Sequence, residues 1–284
     1  MKPVFAVQVT NRDDEDLHQT VRAITGAGYE WINFGVVPFT DEITNLDAFP
    51  TDRRVIPLAG TKVINLYRRK KLPSNWHVFY SDTLFDQCYT RFGPIHFWML
   101  NRNAVIYSYE HCRSLSVKVP TFVKPSNDLK VFAGTVLETG QSLDAMLSKV
   151  NHQPISNGEQ IVMAPVRELG AEYRLFIING AVVDGSEYKR EGRVGHKVID
   201  THTAFELDAF YKKVKPLIGS SQVVQLRDRE PLAYCMDVVE VKDNLDSRFE
   251  IVEFNCFNAC GMYKADRMLV LSELGAVVEA TKWD

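Results

Sequence analysis

Oxygen-bearing side chains interrupt two apolar stretches late in the sequence. Asp237 lies within residues 236–241, and Glu253 and Asn255 lie within residues 251–255. Alternate side chains of a β-strand share a face, so Glu253 and Asn255 point to the same side. Burying an unpaired carboxylate is costly, and Mg²⁺ removes that cost because it prefers oxygen ligands. The pattern therefore predicts a magnesium site, and the alternative for each residue alone is a solvent-facing position on a half-exposed strand.

Lysines suited to phosphate follow an apolar strand predicted at 121–123. Lys124 ends that strand, and Lys130 comes after the polar turn 126–128. A lysine ammonium is a compact charge that suits a phosphate oxygen. The alternative is a solvated lysine whose aliphatic stem packs on the sheet, and it applies more to Lys130 than to Lys124.

A mixed acidic and basic pair opens the next long apolar strand. Glu172 and Arg174 are two residues apart and therefore share a face of that strand. They either pair with each other, or they face a ribose hydroxyl and a phosphate. Asn179 and Gly180 follow between two apolar runs and predict a hairpin turn.

The composition is that of an ordinary globular protein. Of the 284 residues, 45% are hydrophobic and 24% are charged, and the net charge is −3. Such a balance does not indicate nucleic acid or a membrane surface as a partner, and no apolar run reaches the roughly 20 residues that span a bilayer. The five cysteines are odd in number and scattered, which favours reduced thiols, so we expect a soluble cytoplasmic protein. We interpret Cys256 and Cys260 as packing or loop residues.

The N-terminal part alternates strand and helix patterns, which predicts an α/β domain over residues 1–75. Gly60 and Thr61 open a helix there, and a helix cap is favoured over an anion site. The other predicted elements of this part are strands at 4–9, 31–37 and 55–58 and a helix at 14–27.

Residues 76–117 are predicted to form a linking subdomain, and residues 118–284 an α+β domain on an antiparallel sheet. The overall fold class is therefore α+β. The predicted strands of the second domain are 121–123, 131–136, 161–164, 173–178, 181–183, 233–241 and 249–254, and its helices are 142–150 and 204–218.

Six short motifs follow one another along the chain: F-V-K-P at 122–125, K-V-F-A-G at 130–134, I-V-M-A-P-V at 161–166, E-Y-R at 172–174, M-D-V-V at 236–239 and E-F-N at 253–255. In this order the set resembles the ATP-grasp superfamily, and most closely its phage and bacterial Arg-to-Lys clade of carboxylate–amine ligase-like proteins. The resemblance is strong over residues 118–275 and weaker upstream. It implies two α+β subdomains that hold ATP between them, preceded by an α/β N-terminal domain.

The resemblance implies ATP as the cofactor and assigns its contacts. Lys124 would hold the α- and β-phosphates, and Lys130 would assist from a covering loop. The stretch from Met163 to Val166 would pass the adenine edge, where backbone groups read the base. Glu172 would meet the ribose.

The resemblance also assigns the metal and the substrate. Asp237, Glu253 and Asn255 would hold Mg²⁺ between the terminal phosphates. Asn258 and Gly261 would line the place of a substrate carboxylate.

One position departs from the family pattern. Many ATP-grasp ligases carry an arginine two residues before the first metal-binding aspartate, and here that residue is Cys235. Arg174 would meet the phosphates, and a second cation must stabilise the transferring phosphoryl group or the oxyanion. The candidates are Lys189, Arg190 and Lys197, in a basic run that is either a mobile cover over ATP or a solvated loop. We assign Arg174 and Lys189 as the catalytic cations.

These features favour an enzyme that joins a carboxylate to an amine through an acylphosphate. Its expected partners are small-molecule or peptide carboxylates and amines, with no nucleic acid and no membrane. A nucleotide-binding module without ligation is the first alternative, and Cys235 supports it. An ATP-dependent phosphotransferase is the second.

Overall fold

A computed structural model describes residues 1–9, 14–37, 40–82, 84–86, 94–127, 131–150, 152–218, 231–242 and 248–281. Lys130, the predicted second phosphate ligand, lies outside these ranges. Within them the chain forms three β-sheets flanked by helices. No helix in these ranges is both long enough and apolar enough to cross a membrane.

The first sheet consists of β1 (Val4–Gln8), β2 (Glu30–Val36), β3 (Ile43–Thr44) and β4 (Val55–Leu58). Its order is β3-β2-β1-β4, and β1 pairs in parallel with both β2 and β4. The central strand β1 is buried along nearly its whole length, as expected for a parallel strand covered on both faces. The predicted α/β character of the N-terminal part is therefore confirmed.

Two helices accompany this sheet, α1 (Glu15–Gly26) and α2 (Thr61–Arg68). Gly60 is the N-cap of α2, so the helix predicted to open there is confirmed. The backbone N–H of Gly60 donates to Gln8 Oε1 at 2.8 Å. This amide is thus satisfied by the protein itself, which agrees with a helix cap.

The second sheet consists of β5 (Val105–Ser108), β6 (Thr121–Pro125), β7 (Thr135–Leu137) and β8 (Gln160–Pro165), with the short helices α3 (Tyr109–Cys112) and α4 (Leu143–Leu147). Its order is β5-β8-β6-β7, and all pairs are antiparallel. The strand predicted over 131–136 is wrong in its first half, because pairing begins only at Thr135. Val131 and Phe132 are buried by packing in the core rather than by strand pairing.

The third sheet consists of β9 (Leu169–Ile178), β10 (Ala181–Arg190), β11 (Arg193–Val198), β12 (Ala233–Val241) and β13 (Phe249–Cys256), with the helices α5 (Thr201–Val214) and α6 (Arg267–Ala280). It is antiparallel throughout, in the order β11-β10-β9-β12-β13. Short 3₁₀ turns lie at Leu46–Ala48, Pro94–Trp98, Lys215–Leu217 and Phe257–Ala259.

Two tight hairpins shape the third sheet. Asn179 and Gly180 have φ angles of 50° and 69°, which confirms the hairpin predicted there. Glu191 and Gly192, with φ angles of 49° and 78°, make a second one. The irregular loop predicted for the basic run 189–197 is therefore wrong, because this turn folds the run back as β10 and β11. Its role as a cover over ATP stays a prediction.

The first and third sheets share one core with the last helix. Phe5 and Ile56 of the first sheet pack with Phe176 of β9 and Leu271 of α6 in a single buried cluster. Arg267 of α6 donates from Nη1 to Thr20 Oγ1 of α1 at 2.7 Å. The N-terminal residues are thus fixed against the C-terminal ones.

A glycine allows α6 to approach the N-terminal part closely. A Cβ at Gly275 would overlap the ring of Tyr29. Gly275→Ala should therefore lower the free energy of unfolding by about 1–3 kcal/mol through overpacking, although alanine favours a helix by about 1 kcal/mol. Urea unfolding measures the change.

The Tyr29→Ala background supplies the control for this prediction. With the ring removed, Gly275→Ala should become neutral or stabilising, because only the helix propensity remains. A destabilisation of equal size in both backgrounds would contradict the proposed contact.

Candidate functional site

A cavity of about 750 Å³ separates the second and third sheets. Its volume lies within the roughly 300–1,000 Å³ typical of small-molecule sites. Apolar walls include Phe122, Phe132 and Val166. Its polar lining includes Lys124, Asn127, Glu172, Tyr188, Lys189 and Glu253.

The pairing of β9 with β12 places a buried ion pair beside this cavity. Arg174 and Asp237 are register partners, and they are 5% and 1% exposed. Arg174 donates from Nε to Asp237 Oδ1 at 2.8 Å and from Nη2 to Oδ2 at 2.7 Å. Burial opposes the charge of Arg174, but the attraction of Asp237 outweighs it and raises the pKa of the guanidinium.

A second carboxylate faces Asp237 from the neighbouring strand. Glu253 of β13 is the register partner of Asp237. Its Oε2 accepts a hydrogen bond from Lys124 Nζ, which comes from β6 of the second sheet. Asn255 donates from Nδ2 to Asp237 Oδ2 at 3.0 Å and to Glu253 Oε1 at 3.4 Å. The three predicted metal ligands and Lys124 thus lie together.

These oxygens fit a hard cation. Asn255 Oδ1 is buried without a hydrogen-bond partner, next to the two carboxylates. Across the described ranges, no three His, Cys, Asp or Glu side chains are placed to hold a metal ion. A magnesium ion here would therefore need the amide oxygen of Asn255 and oxygens from a bound phosphate as well. It would also replace Lys124 and Arg174 as the charge partner of Glu253 and Asp237.

Glu172 is held by two neighbours from β10. Lys189 Nζ lies 2.6 Å from Glu172 Oε1, and the Tyr188 hydroxyl donates to Oε2 at 2.9 Å. Simple alternation would put Tyr188 and Lys189 on opposite faces, but a register shift between Glu187 and Lys189 brings both to Glu172. The alternative in which Glu172 and Arg174 pair only with each other is wrong.

The structure separates the three candidates for the second cation. Lys189 lines the large cavity. Arg190 binds Glu187, donating from Nη2 at 2.6 Å and from Nε at 2.9 Å. Lys197 lies on β11, whose residues are all exposed. Of these candidates, Lys189 is the one whose position faces the cavity.

Two tyrosines lie against Arg174, and the sequence patterns assigned a role to neither. The rings of Tyr188 and Tyr263 stack at 5.5 Å, and the guanidinium carbon lies 5.6 Å and 5.2 Å from their centroids. Tyr263 has a φ of 50°, which is rare outside glycine. Burial, together with the charges of Asp237 and Glu172, raises the pKa of Tyr188. Both rings therefore pack on the guanidinium that binds Asp237.

Met163 and Val166, the predicted adenine contacts, occupy different environments. Met163 lies in β8 opposite Val123 and packs partly buried against the core of the second sheet. Val166 follows β8 and lines the large cavity. A backbone contact of this stretch with a base stays a prediction.

A smaller cavity of about 250 Å³ lies where β1 and β4 end, and both Asn258 and Gly261 line it. The side-chain amide of Asn258 binds backbone groups of the N-terminal half of the chain. Its Oδ1 accepts from the Phe79 N–H at 2.7 Å. Its Nδ2 donates to the carbonyls of Pro57 at 2.8 Å and His77 at 3.1 Å. Asn258 therefore joins the N-terminal part to the third sheet. Its contact with a substrate stays a prediction.

A family profile described as "ATP-grasp domain, R2K clade family 2" matches residues 100–272, well over half of the chain. The chain belongs to this ATP-grasp family. The matched range contains every predicted site residue from Lys124 to Gly261, and the predicted family is confirmed. Comparison with curated proteins gives no match.

Solved structures show the ATP-grasp fold over nearly the whole chain. D-cycloserine synthetase DcsG matches with a TM-score of 0.59 and 11% identity, covering 97% of this chain and 99% of the other. A RimK domain ATP-grasp protein from Sphaerobacter thermophilus DSM 20745 matches at 0.57 and 13%, covering 96% and 99%. D-alanine–D-alanine ligase from Bacillus anthracis, complexed with ATP, matches at 0.58 and 12%, covering 98% of each chain. The predicted ATP-grasp fold is therefore confirmed.

Removing one partner of the buried Arg174–Asp237 pair should destabilise the fold. Asp237→Asn leaves the Arg174 charge buried without a carboxylate, and we expect the free energy of unfolding to fall by about 3 kcal/mol. Lys212→Ala, which breaks the exposed i,i+4 pair with Asp208, is the matched control and should change it by less than about 0.5 kcal/mol. Equal effects of the two variants in urea unfolding would contradict the pair's role.

The carbonyl of His77 accepts a hydrogen bond from Asn258. The buried imidazole of the same residue predicts that the stability of the fold depends on pH. Burial, with a smaller contribution from Arg54, lowers the pKa of His77 from 6.5 to about 4. Between these values the unfolded chain binds more protons than the folded one, so stability should fall as the pH drops from about 6.5 to about 4. His77→Phe should flatten that slope in urea unfolding, whereas His202→Ala, at an exposed position, should keep it. An unchanged slope in His77→Phe would count against this assignment.

Proposed function

We propose that the protein is an ATP- and magnesium-dependent ligase that activates a carboxylate as an acylphosphate for attack by an amine. One observation carries the proposal. Lys124 from the second sheet meets Glu253 of the third sheet at the edge of the large cavity, directly beside the Arg174–Asp237 pair. Cations for phosphate and oxygens for a metal are thus gathered in one cleft between two sheets.

The large cavity is the proposed nucleotide site. The apolar wall near Val166 suits a base, and the stretch from Met163 supplies backbone groups for its edge. Glu172, held by Tyr188 and Lys189, is proposed to accept from a ribose hydroxyl. Lys124 would bind the phosphates. Lys130 is proposed to assist, on the family resemblance alone.

The metal site uses the oxygens of Asp237, Glu253 and Asn255. When bound there, Mg²⁺ would neutralise the terminal phosphates and so lower the cost of transferring one. Lys124 and Arg174 would then exchange carboxylate oxygens for phosphate oxygens. Each charge stays paired through the exchange, so no isolated buried charge is created.

The chemistry needs positioning and positive charge rather than a covalent protein nucleophile. A substrate carboxylate oxygen attacks the γ-phosphorus, the bond to ADP breaks, and an acylphosphate forms. An amine nitrogen then attacks the acyl carbon, loses a proton and displaces phosphate. Arg174 and Lys189 are proposed to stabilise the phosphoryl group and the tetrahedral oxyanion. The smaller cavity, lined by Asn258 and Gly261, is the proposed place of a substrate.

The names of the solved relatives support the reaction class. D-alanine–D-alanine ligase and D-cycloserine synthetase share the fold over nearly the whole chain, and one ligase structure holds ATP. On this basis we propose small-molecule or peptide carboxylates and amines as the substrates.

A coupled assay for ADP and phosphate tests the proposal. With ATP, Mg²⁺ and a panel of carboxylate and amine pairs, an accepted pair should release equal amounts of ADP and phosphate. Lys124→Ala and Glu253→Gln should each lower kcat/KM by about 100-fold or more, since each removes a charged group from the phosphate or metal site. Lys212→Ala should leave turnover unchanged. Circular dichroism at the assay temperature shows that each variant is folded.

The same experiment separates the other functions. ADP formation without free phosphate would indicate a phosphotransferase. Tight ATP binding by calorimetry without turnover across the panel would indicate a nucleotide-binding module, and either result would overturn the ligase. Turnover that survives both site variants would overturn the assigned site.

A further inference from the structure

Two thiols meet behind the candidate metal site. The Sγ atoms of Cys235 and Cys260 lie 3.0 Å apart, although the residues are 25 positions apart in the chain. Cys235 lies in β12, two residues before Asp237, and is completely buried. Cys260 follows the 3₁₀ turn Phe257–Ala259. The fold therefore brings together two sulfurs that the sequence presents as unrelated.

One of the two thiols is accessible to a small reagent. Cys260 is only partly buried, and it lines the smaller cavity together with Gly261. Cys235 lies behind it, in the core that contains Phe176. A reagent that enters the cavity would therefore reach Cys260 first and Cys235 only through it.

We propose that Cys235 and Cys260 form a reversible disulfide, a redox modification site at the inner wall of the smaller cavity. A disulfide requires the sulfurs to approach from 3.0 Å to about 2.05 Å. A shift of roughly 1 Å lies within the reach of side-chain rotation and a small loop movement. No separation of the sheets is needed.

A peroxide is a sufficient oxidant. Cys260 sulfur attacks one peroxide oxygen, the O–O bond breaks, and Cys260 sulfenic acid and water result. Cys235 sulfur then attacks the Cys260 sulfur and displaces a second water molecule. Two thiols and one hydrogen peroxide thus give one disulfide and two water molecules. A dithiol such as dithiothreitol reverses the bond by exchange.

The bond would fix a segment that contributes to the candidate site. Gly261, the residue after Cys260, accepts a hydrogen bond from Arg174 Nη1 at 3.5 Å through its carbonyl. A covalent link from β12 to Cys260 ties this carbonyl to the strand that carries Asp237. The redox state of the pair would thereby set the mobility of one wall of the smaller cavity.

The test uses the full chain treated with hydrogen peroxide, without nucleotide or substrate. Remaining thiols are blocked with N-ethylmaleimide after denaturation, and mass spectrometry then identifies linked peptides. We expect a loss of about 2 Da for the two hydrogens and a peptide that links Cys235 to Cys260. Dithiothreitol should restore the original mass. The measurement needs no ATP turnover, so failure of the proposed function would not affect it.

Single variants locate the bond. Cys260→Ser should abolish the linked species, and Cys235→Ser should leave Cys260 as a sulfenic acid or a more oxidised form without an internal link. Cys256→Ser, at a buried neighbouring position, is the matched control and should retain the Cys235–Cys260 link. Circular dichroism shows whether each variant is folded. Absence of the link in the folded wild type, or a dominant link from Cys260 to Cys256 or Cys88, would overturn the proposal.

Discussion

Asp237 and Glu253 form the electrostatic centre of the candidate site, because the two carboxylates lie opposite each other on neighbouring strands and Asp237 is buried. Directly opposed like charges destabilise an antiparallel pair. The neutralising cations come from different places: Arg174 lies on the next strand, and Lys124 lies on the second sheet. Asn255 donates to both carboxylates. The Lys124–Glu253 contact therefore joins the second and third sheets at the edge of the cavity between them.

The pairing of Asp237 with Arg174 and of Glu253 with Lys124 connects the stability of the fold with the proposed chemistry. Lys124 and Arg174 balance the two negative charges of Glu253 and Asp237 in the structure. In the proposed reaction Lys124 and Arg174 would exchange these carboxylates for phosphate, so ligand binding would exchange partners instead of creating charges in a low-dielectric interior. Tyr188 and Tyr263 pack on the guanidinium of Arg174 and would restrict it during such an exchange.

The sequence predicted those features of the fold and the site that depend on local residue patterns. Strand alternation placed Glu253 and Asn255 together, and the Asn179 turn was recognised from its residue types. Contacts that depend on irregular or distant geometry could not be predicted this way. Tyr188 reaches Glu172 only because the register of β10 shifts beside it. Asn258 binds backbone groups 179 and 181 positions away, which no local pattern encodes.

Cys235 shows how the fold accommodates the departure from the family pattern. Ala233 and Cys235 lie on the face of β12 that packs with Phe176 in the core shared with the N-terminal part. Two residues later the same strand supplies Asp237, whose partner is Arg174. An arginine at position 235 would place a charge in the apolar part of that face, where desolvation opposes it. Position 235 therefore belongs to the core in this protein. Lys189 lines the large cavity and Arg174 binds Asp237 beside it, which is the physical basis for proposing these two residues for the cationic role.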